Sequence, residues 1–119
     1  MTQQVSDRIV LQASDSIFHE GEHGECAYVV QEGMINIVKN AADGYVVLGT
    51  IKKGGIFGEM ALIDDQPRMA SAVAASTSTV IVISRDVFQR KLQKCDPFVR
   101  GLLGIFVKNI RSMVEERIS

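Results

Sequence analysis

Between residues 8 and 84 the chain is punctuated: short β-branched and apolar segments alternate with turn residues, leaving room for strands and little for long helices. The segments are 8–11, 16–18, 27–31, 34–38, 45–51, 71–74 and 79–83. Gln31-Glu32-Gly33 and Asp43-Gly44 supply positive-φ positions between successive segments, so two antiparallel hairpins are expected there. The Ser/Thr cluster at 76–79 reads as a further hairpin turn. Such a series is the pattern of a sandwich or barrel.

After Ser84 the pattern changes. Residues 85–92 carry helical spacing behind Ser84 as N-cap. Asp96-Pro97 then opens a longer helix, because proline at the first helical position lacks only an N–H that would be orphaned there. Val99, Leu103, Phe106, Ile110 and Met113 are expected to form its apolar face, covering the open side of the β-structure or pairing with a second copy.

The chain has 119 residues, enough for one domain with one core. Its charge is close to balanced, 13 basic against 14 acidic residues, so the strong positive field of a nucleic-acid-binding surface is absent and no direct nucleic-acid partner is expected. Cys26 and Cys95 stand far apart without CxxC spacing and are expected to be reduced thiols. The polar start, Met1 to Gln4, lacks the features of a leader, and no apolar run approaches the ~18 residues of a membrane span. A cytoplasmic protein without membrane association is therefore expected.

One stretch breaks the strand pattern: Gly54-Gly55-Ile56-Phe57-Gly58-Glu59-Met60-Ala61-Leu62, followed by Ile63-Asp64-Asp65-Gln66-Pro67-Arg68. Glycines at 54, 55 and 58 allow close backbone approach to a ligand, and residues 59–62 have the composition of a short helical turn whose free N–H groups favour an anion. Pro67 restricts the backbone before Arg68 and so limits where the guanidinium can go. An arginine suits a phosphate, and a glutamate suits a hydroxyl beside it. Glu59 and Arg68 together describe a ligand with a phosphate next to a sugar hydroxyl.

Here the sequence resembles the cyclic nucleotide-binding domain family, over nearly the whole chain. Phe57-Gly58-Glu59-Met60-Ala61-Leu62 with Pro67-Arg68-Met69-Ala70-Ser71 is similar to that family's phosphate-binding cassette. Phe18-x-x-Gly21-x-x-Gly24-x-x-Ala27-Tyr28-Val29-Val30-x-x-Gly33-x-Ile35 is similar to its second signature. The resemblance implies a mainly β fold with C-terminal helices: an eight-stranded antiparallel β-roll (a double-stranded β-helix or jelly roll) containing a short cassette helix. A single domain over 1–119 follows, with the roll at about 8–84 and helices at about 85–94 and 97–117. The implied ligand site comprises Phe57, Gly58, Glu59, Met60, Ala61, Arg68, Met69 and Ala70, with Glu59 on the ribose 2′-hydroxyl and Arg68 on the cyclic phosphate. Val46 and Leu48 would face the base. Phe106, Asn109, Ile110 or Met113 would cap the purine as a lid.

Where members often carry a serine or threonine directly after the cassette arginine, this chain has Met69. Without that hydroxyl, cyclic GMP loses a partner, so cyclic AMP is the expected ligand and cyclic GMP the alternative; no cofactor is implied. Within these 119 residues the helix that usually precedes the roll is not expected, nor is a helix-turn-helix, kinase or channel segment after it. The expected role is thus a stand-alone sensor relaying cyclic AMP to a separate protein chain, with homodimerisation through the last helix as an option.

Two other readings stand beside this one. The roll could be an interaction module with a vestigial pocket. His19 and His23 among Glu20, Glu22 and Glu25 also suggest a cupin-like metal-dependent enzyme, but the chain has only these two histidines, and non-haem metal sites need three convergent ligands. No serine, cysteine or lysine adjoins a histidine in a nucleophile setting, so neither a catalytic nor a metal site is expected.

Overall fold

The computed structural model describes residues 7–118; the polar start, Met1 to Gln4, lies outside them. Eight strands run in the order β1 (Arg8–Leu11), β2 (Ser16–Phe18), β3 (Cys26–Glu32), β4 (Met34–Ala41), β5 (Gly44–Lys52), β6 (Ile56–Phe57), β7 (Ser71–Ala74) and β8 (Ser78–Ser84). Helix α1 (Met60–Asp64) lies between β6 and β7, and α2 (Arg85–Gln93) and α3 (Pro97–Ile118) follow β8. The strands form two antiparallel four-stranded sheets, ordered β1-β8-β3-β6 and β2-β7-β4-β5. This is the expected β-roll with C-terminal helices.

The core lies between the sheets, where inward residues of both meet: Leu11, Val30, Phe57 and Val80 from one, Phe18, Ile35, Ala72 and Ala74 from the other. The small residues Ala72 and Ala74 let β7 pack close, and the aromatic trio Phe18, Tyr28 and Phe57 fills the end nearest α1. Ring centroids in that trio lie 5.1–6.1 Å apart.

Two of the expected hairpins are corrected. Only the turn before Gly44 (φ +118) joins paired strands, β4 and β5. At Gly33 the chain instead crosses from one sheet to the other, since β3 pairs with β6 and β8 while β4 pairs with β5 and β7. The cluster at 76–79 likewise is no hairpin: residues 75–77 carry the chain from β7 across to β8 in the other sheet. The two crossings pack on each other. Ser78, 1% exposed, accepts a hydrogen bond from the Met34 amide at 3.1 Å, and its hydroxyl lies 2.8 Å from the Ser76 carbonyl. Gly33 (φ +91) is required there, because a Cβ would stand 2.2 Å from Ser78 Oγ.

A strand absent from the sequence reading, β6, pairs Ile56 with Val29 and Phe57 with Tyr28, and so delivers the following glycine to the core's aromatic end. Both later helices begin as their capping residues dictate. Ser84 accepts from the Val87 amide at 3.2 Å and Asp96 from the Phe98 amide at 2.7 Å. Acidic Asp86 in the first turn of α2 and basic Arg90 and Lys91 in the last complement the helix dipole.

The packed face of α3 differs from the expected one. Val107 is buried, with Leu103, Arg111 and Val114 partly so, whereas Val99, Phe106, Ile110 and Met113 are all more than 40% exposed. Apolar residues occupy so wide an arc of this helix that the roll covers only its edge.

Candidate functional site

The site begins where β6 ends. Gly58 has φ +80, and a Cβ on it would come within 3.0 Å of Arg68 Nη1, 3.1 Å of the Phe18 ring and 3.2 Å of the Tyr28 ring. Only glycine passes here without displacing one of them. Glu59 follows with helical backbone angles, and its carbonyl accepts from the amides of Leu62 and Ile63, closing the first turn of α1. Asp65 ends that helix in the left-handed region at φ +56, and the chain returns through Gln66 and Pro67 to Arg68.

Arg68 is fixed from every direction. Its amide donates to the Glu22 carbonyl and its carbonyl accepts from the Gly21 amide, both at 2.8 Å. Its side chain is buried: Nη1 donates to the Gly58 carbonyl at 2.6 Å and Nη2 to the Cys26 carbonyl at 2.7 Å. Cζ stands 3.9 Å from the centroid of the Phe18 ring. Nε is buried with no partner, and no carboxylate lies within hydrogen-bonding distance of the guanidinium among the described residues. Burial accordingly pulls the Arg68 pKa below its usual value, partly opposed by Tyr28 and Cys26. A buried cation balanced by carbonyl dipoles and a ring face is an arrangement that an anion would complete.

Glu59 has the opposite sign and the same problem. Burial raises its pKa, while backbone N–H groups of Glu59 and Met60, and the charge of Arg68, pull it back.

Arg68 and Glu59 line one cavity of about 300 Å³. Phe57, Gly58, Met60, Ala61, Met69, Ala70 and Leu48 line it with them; Phe18, Ile37, Gly49, Ile51 and Ile56 complete the roll side. Val46, read as a base-facing residue, is not among the lining residues. It shares the partly buried character of Leu48 on β5 but lies two residues nearer the β4–β5 turn, beyond the part of the strand that lines the cavity, Leu48, Gly49 and Ile51.

One of the four lid candidates meets the cavity. Of Phe106, Asn109, Ile110 and Met113, only Ile110 reaches the cavity; the α3 residues beside it are Arg111 and Val114. Phe106, Asn109 and Met113 are exposed because α3 docks through the side carrying Val107. The 3.6-residue spacing of Val107, Arg111 and Val114 was the available signal, obscured by the longer apolar stripe beside it.

The two histidines do not converge. His19 faces Glu22 at 3.6 Å and His23 faces Glu25 at 3.1 Å, all on the surface, and no cluster of three metal-ligating side chains forms among the described residues. Cys26 and Cys95 are free. No helix among the described residues is long and apolar enough to cross a membrane.

Comparison with known proteins places this geometry. Residues 8–95 match the model of the cyclic nucleotide-binding domain. The cAMP-dependent protein kinase regulatory subunit of Aspergillus niger is 37% identical over 94 residues, which are 79% of this chain and 22% of that protein. The chain therefore spans about a fifth of the length of such relatives. The EAL enzyme Bd1971 in its cAMP-bound form superimposes with a TM-score of 0.88 at 28% identity, covering 93% of this chain and 30% of the other. The cAMP-bound regulatory domain of Toxoplasma gondii PKA does so with a TM-score of 0.70 at 31% identity, covering 72% and 33%. On the matched span and the fold alike, the chain belongs to the cyclic nucleotide-binding domain family.

Proposed function

We propose that this chain is a non-catalytic sensor module that binds cyclic AMP in the Glu59–Arg68 cavity and relays its occupancy to another protein chain. The observation that carries this is Arg68: a buried guanidinium with an unpartnered Nε and, among the described residues, no carboxylate within hydrogen-bonding distance, at the wall of a cavity whose other charged lining residues are Glu59 and Arg111. The cyclic phosphate would lie against Arg68 and the ribose hydroxyl against Glu59. The base would lie between Leu48, Ile51 and the α3 residues Ile110 and Val114. The cAMP-bound forms of the EAL enzyme Bd1971 and of the Toxoplasma gondii PKA regulatory domain support the ligand.

Cyclic AMP is preferred to cyclic GMP because no serine or threonine among the described residues lines the cavity. Met69 follows Arg68, and the nearby Ser71 hydroxyl already accepts from the Glu20 amide at 2.8 Å. A guanine amino group would be buried without a partner, at a cost of about 1–3 kcal/mol.

The output surface is α3. Phe98, Val99, Ile105, Phe106 and Met113 are exposed large apolar residues on one helix, with Phe98 75% exposed.

Isothermal titration of nucleotide-stripped protein with cyclic AMP and cyclic GMP, beside Arg68→Ala, tests the whole reading. Saturable cyclic AMP binding that vanishes in the variant supports it. Absence of heat with both nucleotides, with no thermal stabilisation, would make the domain a docking module whose pocket is vestigial.

A further inference from the structure

Helix α3 is lightly fastened. Its main contact is with the five-residue α1, and Val107 is its one buried residue among the described side chains. The most directional contact between them is a fork. Arg111 Nε donates to Asp64 Oδ2 at 2.5 Å and Nη2 donates to Asp64 Oδ1 at 3.0 Å, with each side chain 20% exposed. Two parallel bonds fix the guanidinium plane as well as its position. The third nitrogen, Nη1, donates to the Pro67 carbonyl at 3.1 Å.

That carbonyl belongs to the same peptide group as the Arg68 amide, which donates to the Glu22 carbonyl at 2.8 Å. One peptide plane is thus held on its oxygen side by α3 and on its nitrogen side by the loop between β2 and β3. Asp64 closes α1, and its Oδ1 also accepts from the Gln66 amide at 3.1 Å. Arg111 therefore touches both ends of the turn that carries Arg68, and lines the cavity itself.

We infer that Arg111 is a positioning residue which, through Asp64 and the Pro67 carbonyl, makes the seating of α3 over the cavity and the placement of Arg68 a single event. The inference rests on the cyclic-nucleotide reading for its consequence, but the seating itself is a property of the ligand-free chain. With the fork intact, α3 covers the cavity mouth and Arg68 is held for its ligand. Without it, α3 loses its bidentate tie to α1, and a bound nucleotide can leave past Ile110 and Val114.

The test uses the full chain with Arg111→Met, which keeps an apolar stem, Asp64→Asn, which keeps the shape and removes the charge, and the double variant. Amide hydrogen exchange in the ligand-free proteins should be about fivefold faster or more in α3 in all three, with β3 and β8 unchanged. The cyclic AMP dissociation rate should rise by a similar factor at an unchanged melting temperature, and the double variant should be no worse than the worse single one. Exchange in α3 that stays at the wild-type rate in Arg111→Met and in Asp64→Asn overturns the inference, whatever the ligand does. So does a faster α3 with an unchanged dissociation rate. Wild-type protein that binds no cyclic nucleotide overturns the sensor reading instead, and the exchange result then decides the fork by itself.

Discussion

The guanidinium of Arg68 sits over the ring of Phe18, 3.9 Å from its centroid, and that stack takes the place a carboxylate would fill beside a buried cation. A carboxylate partner would neutralise Arg68 before any ligand arrived. Ring and carbonyls hold it in place while leaving its charge available. Glu25 is near in sequence to Cys26, whose carbonyl receives Nη2, yet its carboxylate turns outward to His23.

Phe18→Leu should therefore separate packing from charge placement. The fold should lose about 1–2 kcal/mol, as a partial core truncation does. Cyclic AMP affinity should fall as well, by an amount corresponding to about 1–2 kcal/mol for a desolvated cation–π contact. Urea melts and titration of the same preparations measure the two effects. Phe18→Tyr retains the ring face and should bind nearly as wild type; equal affinity in Phe18→Leu would reduce the ring to packing alone.

Two partly buried carboxylates, Glu59 and Glu20, titrate with opposite signs. Burial raises Glu59 above its ordinary 4.5, so its contribution to stability is present below 4.5 and is lost as pH rises through the folded value. Burial also pushes Glu20 up, but the Asn40 amide and the Lys39 ammonium, each at 3.0 Å, outweigh it and bring it below 4.5. Its contribution is present above 4.5 and is lost as pH falls through the folded value. Glu59→Gln should raise ligand-free stability at neutral pH, with the gain shrinking toward acid. Glu20→Gln should lower neutral stability and flatten the acid limb. Urea melts across about pH 3.5–7 show both; parallel curves for wild type and Glu59→Gln would mean that Glu59 is effectively solvated.

Much of this was legible in the sequence for a definite reason. Positive-φ glycines at 33, 44, 54 and 58 mark where the chain turns, and Ser84 and Asp96-Pro97 mark helix starts, because both signals are local. Which sheet receives the chain after a turn is not local. Gly33 announces a change of direction equally well for a hairpin and for a crossing, and the difference lies in Ser78, more than forty residues away. The same holds at the lid. Helical periodicity names an apolar arc on α3, but α1 selects which part of it is covered, and Arg111 entered the site through a partner, Asp64, that no spacing on α3 foretells.

The crossing predicts a sharp difference between two glycines with nearly equal φ. Gly33 (φ +91) would place a Cβ 2.2 Å from Ser78 Oγ and 2.6 Å from the Thr77 carbonyl; Gly54 (φ +88) would place one in open space. Gly54→Ala should cost only the left-handed backbone penalty, about 1–2 kcal/mol. Gly33→Ala adds the collision of two chain crossings and should cost upwards of about 4 kcal/mol. Thermal denaturation of both variants compares them directly, and similar losses would mean that the Ser78 crossing yields easily.

Gly24 offers the complementary case, a glycine that the backbone does not require but the site does. Its φ is not in the left-handed region, so alanine is conformationally acceptable and even reduces unfolded-chain freedom, a gain of about 0.4–1 kcal/mol. The new Cβ would stand 2.8 Å from Ala61 Cβ and 3.2 Å from Arg68 Cζ. Arg85 pins this residue, donating to the Gly24 carbonyl from Nε at 3.1 Å and Nη2 at 2.5 Å, so the loop cannot simply retreat. Gly24→Ala should change stability by no more than about 2 kcal/mol, yet weaken cyclic AMP by about tenfold or more as Arg68 and α1 shift, a loss of about 1.4 kcal/mol per decade. Adding Ala61→Gly removes the harder of the two collisions. Recovered affinity in the double variant would place the damage at α1; continued weakness would place it at Arg68, whose guanidinium has no other direction in which to move.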